Sequence, residues 1–567
     1  MSGASRRKAC DVFRLMPFGW APAGPDAGGK TMPSMGDRRA AAPVGCQQAR
    51  LAQRLLAGFD VLVETRGVFW ATAAGCVALM WSQTRLPMVD LPQHAAQVAL
   101  LRDLVLGQSA WADLVEINLR SPYLVGYLLA LPAALVMPAG AAITAVLSLV
   151  FVGFVAGCVA LRREAKGDAR LDWLAMPSFF GLAWKWGYFP FLVALPLLLW
   201  LLVLAMRHGR EPALRRAVAI VVCGLALLAS HGMAFLFAGA AGGAAVLASV
   251  RSHAGIVVLS RAGIVVRLAP FAVLGVALVG IALASRGFGT PFEDVRFIWG
   301  IEPAARVLSL VVFGHGFTGE LAMLTVAALA VPFALGCRLQ RGGVGVALLV
   351  VLVVWVLVLP KDMMGAVHWA ERFGVMFLPF YVMLWQRADI DRKSSTGGLA
   401  ALALVATCWG SLGLMGLRLA QFGHEARDFE SVMAAAEPGK RAISIPLDPA
   451  SQATRHPFHY LQHGMWYQAD ARGLVDYNFA SLHNLIVRFR PGKTPPLDVD
   501  FAWDAGAFDW KANRGRDYEL FFVRHGERQL PERLVANGEC RLEIVAQAGA
   551  WSLLKRGQCN GGSRVPP

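Results

Sequence analysis

Eleven apolar runs leave this chain few folds to choose from: near 67–81, 140–160, 171–184, 187–206, 214–230, 233–250, 264–284, 320–338, 343–360, 372–386 and 397–417. A bilayer asks for about 20 apolar residues per helix, so the shorter runs must extend into flanking aromatic or polar residues. Charged residues are only 16% of the chain, against 56% hydrophobic, whereas soluble domains carry about 25% charge. A large soluble core is excluded, and an α-helical polytopic membrane protein is expected. The net charge of +16 would suit nucleic acid. Lys and Arg also gather in the cytoplasmic loops of membrane proteins, and we adopt that explanation, with no nucleic-acid partner.

Charge also orients the runs. Arg162, Arg163, Lys166 and Arg170 mark one cytoplasmic loop, and Arg207, Arg210, Arg215 and Arg216 the next. Arg251, Arg261 and Arg267 follow, then Arg338 and Arg341, then Arg387, Arg392 and Lys393. The alternation holds only if SPYLVGYLLALPAALVMP (121–138) does not cross, and Pro132 and Pro138 make it a poor straight helix. About eleven spans over 67–420 are expected, with 82–139 as one long outer loop. Residues 1–66, with ten Lys or Arg against five Asp or Glu and no apolar run, read as a disordered basic cytoplasmic tail.

Beyond Leu417 the composition turns ordinary. RAISIPL, DYELFFVRH and CRLEIVAQAGAWSLLKR read as strands, so residues 421–567 are expected to form an extracytoplasmic α/β domain. Cys540 and Cys559 are its two cysteines. They flank two strands joined at QAGA, whose far ends would meet; a disulfide is expected in an oxidising compartment, with two free thiols as the alternative. HPFHYLQHGMWYQADARG offers His459 and His463 on one helical face, but no acid or Cys stands at ligand spacing. Packing onto the membrane part, or an aromatic surface for a sugar or lipid, is the better reading.

With this topology the polar residues sort to the outer side: Asp90, His94, Asn118, Arg120 and Tyr123, then Lys185, His231, Glu293, Asp294 and Arg296, then His315, His368, Glu371 and Arg372. In DLPQH the proline starts a helix, which puts Asp90 at its N-cap. Leu91, Ala95, Val98, Leu101 and Val105 recur at three- and four-residue steps, the pattern of an amphipathic helix lying on the membrane surface. His94 sits one turn on, close enough to share a substrate. The plainer alternative is that Asp90 only caps the helix and His94 is a surface residue.

A span, a long outer loop opening on an acid and an amphipathic helix, then SPYLVGYLLAL, and a terminal soluble domain together resemble the GT-C superfamily of polytopic glycosyltransferases. The resemblance covers most of 67–420, and its motifs are short. It implies a sugar donor linked to polyprenyl phosphate, an acceptor that is a glycan, lipid or protein, a bacterial inner-membrane location and a catalytic carboxylate at Asp90. Many members carry a second acid; here the neighbour is Leu91 and the nearest later outer acids are Glu293 and Asp294. The leaving phosphate needs a cation, for which Arg372, Lys185, Arg296 and His231 are candidates. His94, Arg120 and His368 complete the substrate-binding set.

Each has an alternative role: Lys185 as an interfacial anchor between two tryptophans, His231 in interhelical packing, Arg372 as a partner of Glu371 or Asp362. No cofactor is implied with certainty, and a divalent cation stays open. Two other classes remain, a transporter or flippase for a lipid-linked glycan and a non-catalytic envelope assembly protein.

Overall fold

Runs of Leu, Val and Ala bring no polar side chain to compete with the backbone, and in the computed structural model most of them wind into helices. The structure describes residues 44–254, 261–284, 306–310, 319–340, 343–360, 368–388, 395–497, 501, 503–526, 529–535 and 537–560. The helices are α1 (Val44–Glu64), α2 (Arg66–Met80), α3 (Leu91–Val105), α4 (Leu124–Ala134), α5 (Ala139–Glu164), α6 (Phe189–Arg210) and α7 (Leu214–Ser230). They continue with α8 (Gly232–Ala254), α9 (Arg261–Ala284), α10 (Gly319–Ala334), α11 (Val344–Val358), α12 (Ser395–Glu425), α13 (Arg427–Ala434) and α14 (Trp466–Ala471).

Among the described residues five helices are long and apolar enough to cross a membrane: α5, α6, α8, α9 and α12. The bent pair α1–α2, which turns by 72°, makes a sixth if counted as one span. α9 exposes Val265, Val266, Val273, Val276 and Ile281, an apolar surface that suits lipid and not water. α4 has 11 residues, about 16 Å of helix, too short to span alone.

Three expectations need correction. Residues 44–64 of the expected disordered tail are helical. The runs at 171–184 and 372–386 are not continuous helices. The first breaks into Ala169–Leu174, Ala175–Phe179 and Leu182–Trp186, with a turn at Phe180 and an extended Gly181 between the last two. The second divides into a 3-10 stretch, Glu371–Met376, and a short α-helix, Phe377–Val382. Irregular backbone is tolerated at membrane depth only inside protein, and residues 171–184 are buried throughout.

The third correction concerns α3, which does not lie on the surface. Every residue from Leu91 to Leu101 is buried, because α3 is wedged between α4 and α5 on one side and the C-terminal domain on the other. Gln93 and Gln97, one turn apart, tie it to that domain. Gln93 Nε2 donates to Gln462 Oε1 (2.8 Å) and to the Tyr477 carbonyl (3.0 Å), and its Oε1 accepts from the Phe479 N–H (2.9 Å). Gln97 Oε1 accepts from the Val487 N–H (3.0 Å). Arg85 adds ion pairs to Glu430 (2.8 Å) and Asp470 (2.6 Å) and stacks over Trp466.

The C-terminal sheet contains β2 (Arg441–Pro446), β3 (Leu474–Asp476), β5 (Leu520–Arg524), β6 (Cys540–Ala548) and β7 (Trp551–Cys559), in the order β3-β2-β5-β7-β6. β2 runs parallel to both neighbours, and β7 antiparallel to both of its own. A separate short ladder joins β1 (Val115–Ile117), between α3 and α4, to β4 (Val487–Phe489). α12 runs past the expected boundary at 420 to Glu425 and leads at once into α13.

Gly549 and Ala550 turn the β6–β7 hairpin, and Cys540 stands opposite Cys559 in the register, joined as a disulfide with Cα atoms 3.8 Å apart. The loop it closes is worth about 3 kcal/mol in the chain-entropy model. Cys540→Ser is therefore expected to lower the melting temperature under oxidising conditions, and a reductant should bring the wild type to the same value.

Candidate functional site

The bond that aims Asp90 is made by backbone. Residues 88–90 run alongside 185–187: the Val89 N–H donates to the Lys185 carbonyl (3.1 Å) and the Asp90 N–H to the Trp186 carbonyl (2.8 Å). That approach needs Gly187. It holds φ +75°, and a Cβ there would lie 3.0 Å from Leu91 N and 3.2 Å from Asp90 N. Gly187→Ala is expected to cost about 1–2 kcal/mol in backbone conformation alone and to push the start of α3 aside. Gly107→Ala, at φ +66° with nothing within 4 Å, carries only the backbone cost. Melting curves of the two should differ by the added clash at Gly187.

Asp90 occupies the N-cap position, as the sequence suggests, but its side chain makes no capping hydrogen bond. It opens instead into a half-open cavity of about 160 Å³ beneath the C-terminal domain. His94, His231 and Arg372 line the same cavity. These four residues come from the start of α3, the α7–α8 junction and the broken segment after 368, so the fold gathers them from far apart in sequence.

Arg372 is buried, with its guanidinium 4.2 Å from the Tyr188 ring centroid and 4.6 Å from that of Trp369. Its Nε donates to the His368 carbonyl (3.2 Å). Desolvation pushes the Asp90 carboxyl up to about 7, with the Arg372 charge holding back part of the rise. Burial pushes His94 down to about 3, so it is neutral at physiological pH. Its Nδ1 is hydrogen-bonded to the Tyr127 hydroxyl (2.6 Å). His231 sits between the rings of Tyr123 and Phe191, at 5.4 and 5.3 Å.

The other candidates stand elsewhere. Arg120 is exposed, outside the cavity walls. His368 packs its ring on Trp186 (5.0 Å) and serves Arg372 through its carbonyl. Lys185 points to the other side of the 184–188 segment, into a neighbouring cavity. Arg296 lies outside the described residues, as do Glu293, Asp294 and His315.

Sequence reasoning missed the contribution of the C-terminal domain, which closes the Asp90 cavity with Gln462, Tyr477, Asn484 and Trp503. The one signal was the aromatic stretch around HPFHYLQHGMW, where Leu461 and Gln462 do face the cavity. His459 and His463 from the same stretch pack among Phe422, Phe429, Tyr460 and Trp551. Among the described residues no three His, Cys, Asp or Glu side chains converge as metal ligands would.

The arrangement can move a proton near neutral pH and hold an anion beside it, in a chamber walled by aromatic rings. No protein-family model matches the chain, and no curated protein does either.

Proposed function

We propose that this chain is a GT-C-type membrane glycosyltransferase that moves a sugar from a polyprenyl-phosphate donor to an acceptor hydroxyl at the extracytoplasmic face. The observation that carries this reading is one cavity holding a carboxyl poised near neutrality together with a guanidinium held over aromatic rings. A base is most effective when its pKa lies close to the working pH.

In the reaction, the acceptor oxygen attacks the anomeric carbon while Asp90 takes the hydroxyl proton. The bond from that carbon to the phosphate oxygen breaks, its electron pair leaves with the phosphate, and Arg372 balances the charge. Trp186, Tyr477 and Trp503 offer ring faces for the sugar. Asp90 is the one carboxylate among the described cavity walls, a poor cage for a divalent cation, which takes several oxygen ligands. No step is routed through a metal.

The fuller topology belongs to the same reading: about eleven spans counting the short and broken segments, a cytoplasmic N-terminus, and the C-terminal domain outside a bacterial inner membrane. The transporter reading asks for charged groups near mid-membrane, whereas Asp90 and Arg372 belong to a cavity roofed by the C-terminal domain.

The test uses sealed proteoliposomes supplied with a panel of polyprenyl-phosphate sugars and of hydroxyl acceptors, glycan, lipid and peptide. Release of free polyprenyl phosphate is the expected result. Movement of intact donor across the bilayer, with its sugar bond uncleaved, would favour the flippase.

A further inference from the structure

The aromatic walls of the Asp90 cavity differ in their access to water. Trp186, Tyr188, Trp369 and Tyr477 are buried, whereas Trp503 is 42% exposed. Trp503 therefore stands at the mouth. Its ring crosses that of Phe458 at 72° with centroids 5.0 Å apart, and lies 6.0 Å from the Trp186 ring. A row of rings thus leads from solvent into the chamber that Asp90 lines.

Beside these rings the amide of Gln462 has a fixed direction. Gln93 Oε1 accepts from the Phe479 N–H, which can only donate, so Gln93 turns its Nε2 toward the Tyr477 carbonyl and Gln462. Gln462 must meet that donor with its Oε1. Its own Nε2 is left with no hydrogen-bond partner among the described residues, on a side chain that lines the cavity. Gln462 is buried, and polar groups shut from water are normally satisfied. Asn484, half-buried and also lining the cavity, makes no side-chain hydrogen bond with any described residue. None of the described side chains that the C-terminal domain adds to the cavity wall is charged.

A sugar offers C–H groups on its ring faces and hydroxyls around its rim, which an open indole and neutral amides match. A phosphate headgroup would call for a cation on that wall. We infer that the acceptor is a saccharide, stacked on Trp503 with its hydroxyl oxygens held by Gln462 and Asn484. This rests on the proposed glycosyl transfer and narrows the acceptor to one class. The donor's sugar takes the buried rings of Trp186 and Tyr477, the acceptor's ring takes Trp503, and a remaining acceptor hydroxyl reaches Asp90 through the cavity they share.

The test measures binding first and turnover second. Saturation-transfer NMR on the full-length protein in lipid nanodiscs, free of glycosidic detergent, probes methyl hexosides and methyl N-acetylhexosaminides. A serine-containing peptide and glycerol phosphate are separate arms. The expected result is binding of a glycoside and of neither other probe. Binding should weaken by about tenfold in Trp503→Ala, the scale of an aromatic contact, by about threefold to tenfold in Asn484→Ala, and persist in Trp503→Phe. No bound glycoside, or equal binding by wild type and Trp503→Ala, would overturn the inference; binding of the peptide or of glycerol phosphate instead would overturn it in favour of that class. In the transfer assay Trp503→Ala should raise the acceptor KM and leave the donor KM as in wild type, and the opposite split would overturn the assignment of Trp503 to the acceptor. Glycoside binding that depends on Trp503 in a protein that cleaves no donor refutes the proposed transfer and leaves the saccharide site standing. Transfer to a peptide or a lipid with no glycoside bound refutes the saccharide site alone.

Discussion

Asp90→Asn is expected to make the protein more stable at pH 8 while removing its activity. The carboxyl titrates near 7 in the folded chain against 3.8 for an ordinary aspartate. Between those values the unfolded chain has lost the proton that the folded chain still holds, so stability falls as pH rises from about 4 to about 7. The deficit then stays constant at higher pH, at about 4 kcal/mol as an upper scale. Asparagine carries no charge to desolvate, so the variant should melt higher than wild type at pH 8 and nearly together with it at pH 4. A solvent-exposed capping aspartate would give no such gain, because asparagine caps about as well as aspartate. Transfer should drop by about 10²–10⁴-fold, the range for a lost general base.

The second large effect is structural. Asp172 is 1% exposed and holds two arginines: Arg162 through Nε (2.8 Å) and Nη2 (2.6 Å), and Arg66 through Nη1 (2.7 Å). This triad ties the start of α2 to the end of α5, at the opposite end of α5 from Pro138 and the C-terminal domain. Asp172→Ala leaves Arg162, itself 8% exposed, charged and buried without its carboxylate. Breaking such a pair costs about 3–5 kcal/mol. The expected readout is a melting temperature lowered by several degrees in detergent, much more than for Glu211→Ala, whose ion pair with Arg216 is exposed.

Arg162 illustrates what the sequence could and could not convey. Its place in an Arg-rich loop after an apolar run was legible. Its burial against Asp172 was not, because an ion pair ten residues apart depends on how the chain turns at Gly167 and Asp168. The apolar runs made most of the helices legible, yet 171–184 and 372–386 divide into short helical pieces, the first interrupted at Phe180 and Gly181. Hydropathy counts Gly181 as neutral, while its extended backbone ends the helix.

At the site, Asp90, His94, His231 and Arg372 could each be picked out as polar residues placed against the grain of an apolar chain. Their convergence with Gln462, Tyr477 and Trp503 could not. Those contacts span several hundred residues, and they rest on Gln93 and Gln97 of α3, a helix expected to lie on the membrane surface. Whether Asp90 capped its helix was also undecided by DLPQH, since a capping and a non-capping aspartate share that pattern.

The central claim is that the Asp90 carboxylate acts on a sugar leaving a lipid phosphate. Its most direct test is the rate of polyprenyl-phosphate release by the reconstituted wild type and Asp90→Asn between pH 5 and 9. The wild-type rate should rise through a midpoint near pH 7 as Asp90 ionises, with the variant flat at background across the range. Release by Asp90→Asn at the wild-type rate, or a wild-type rate with no change across that midpoint, would contradict it.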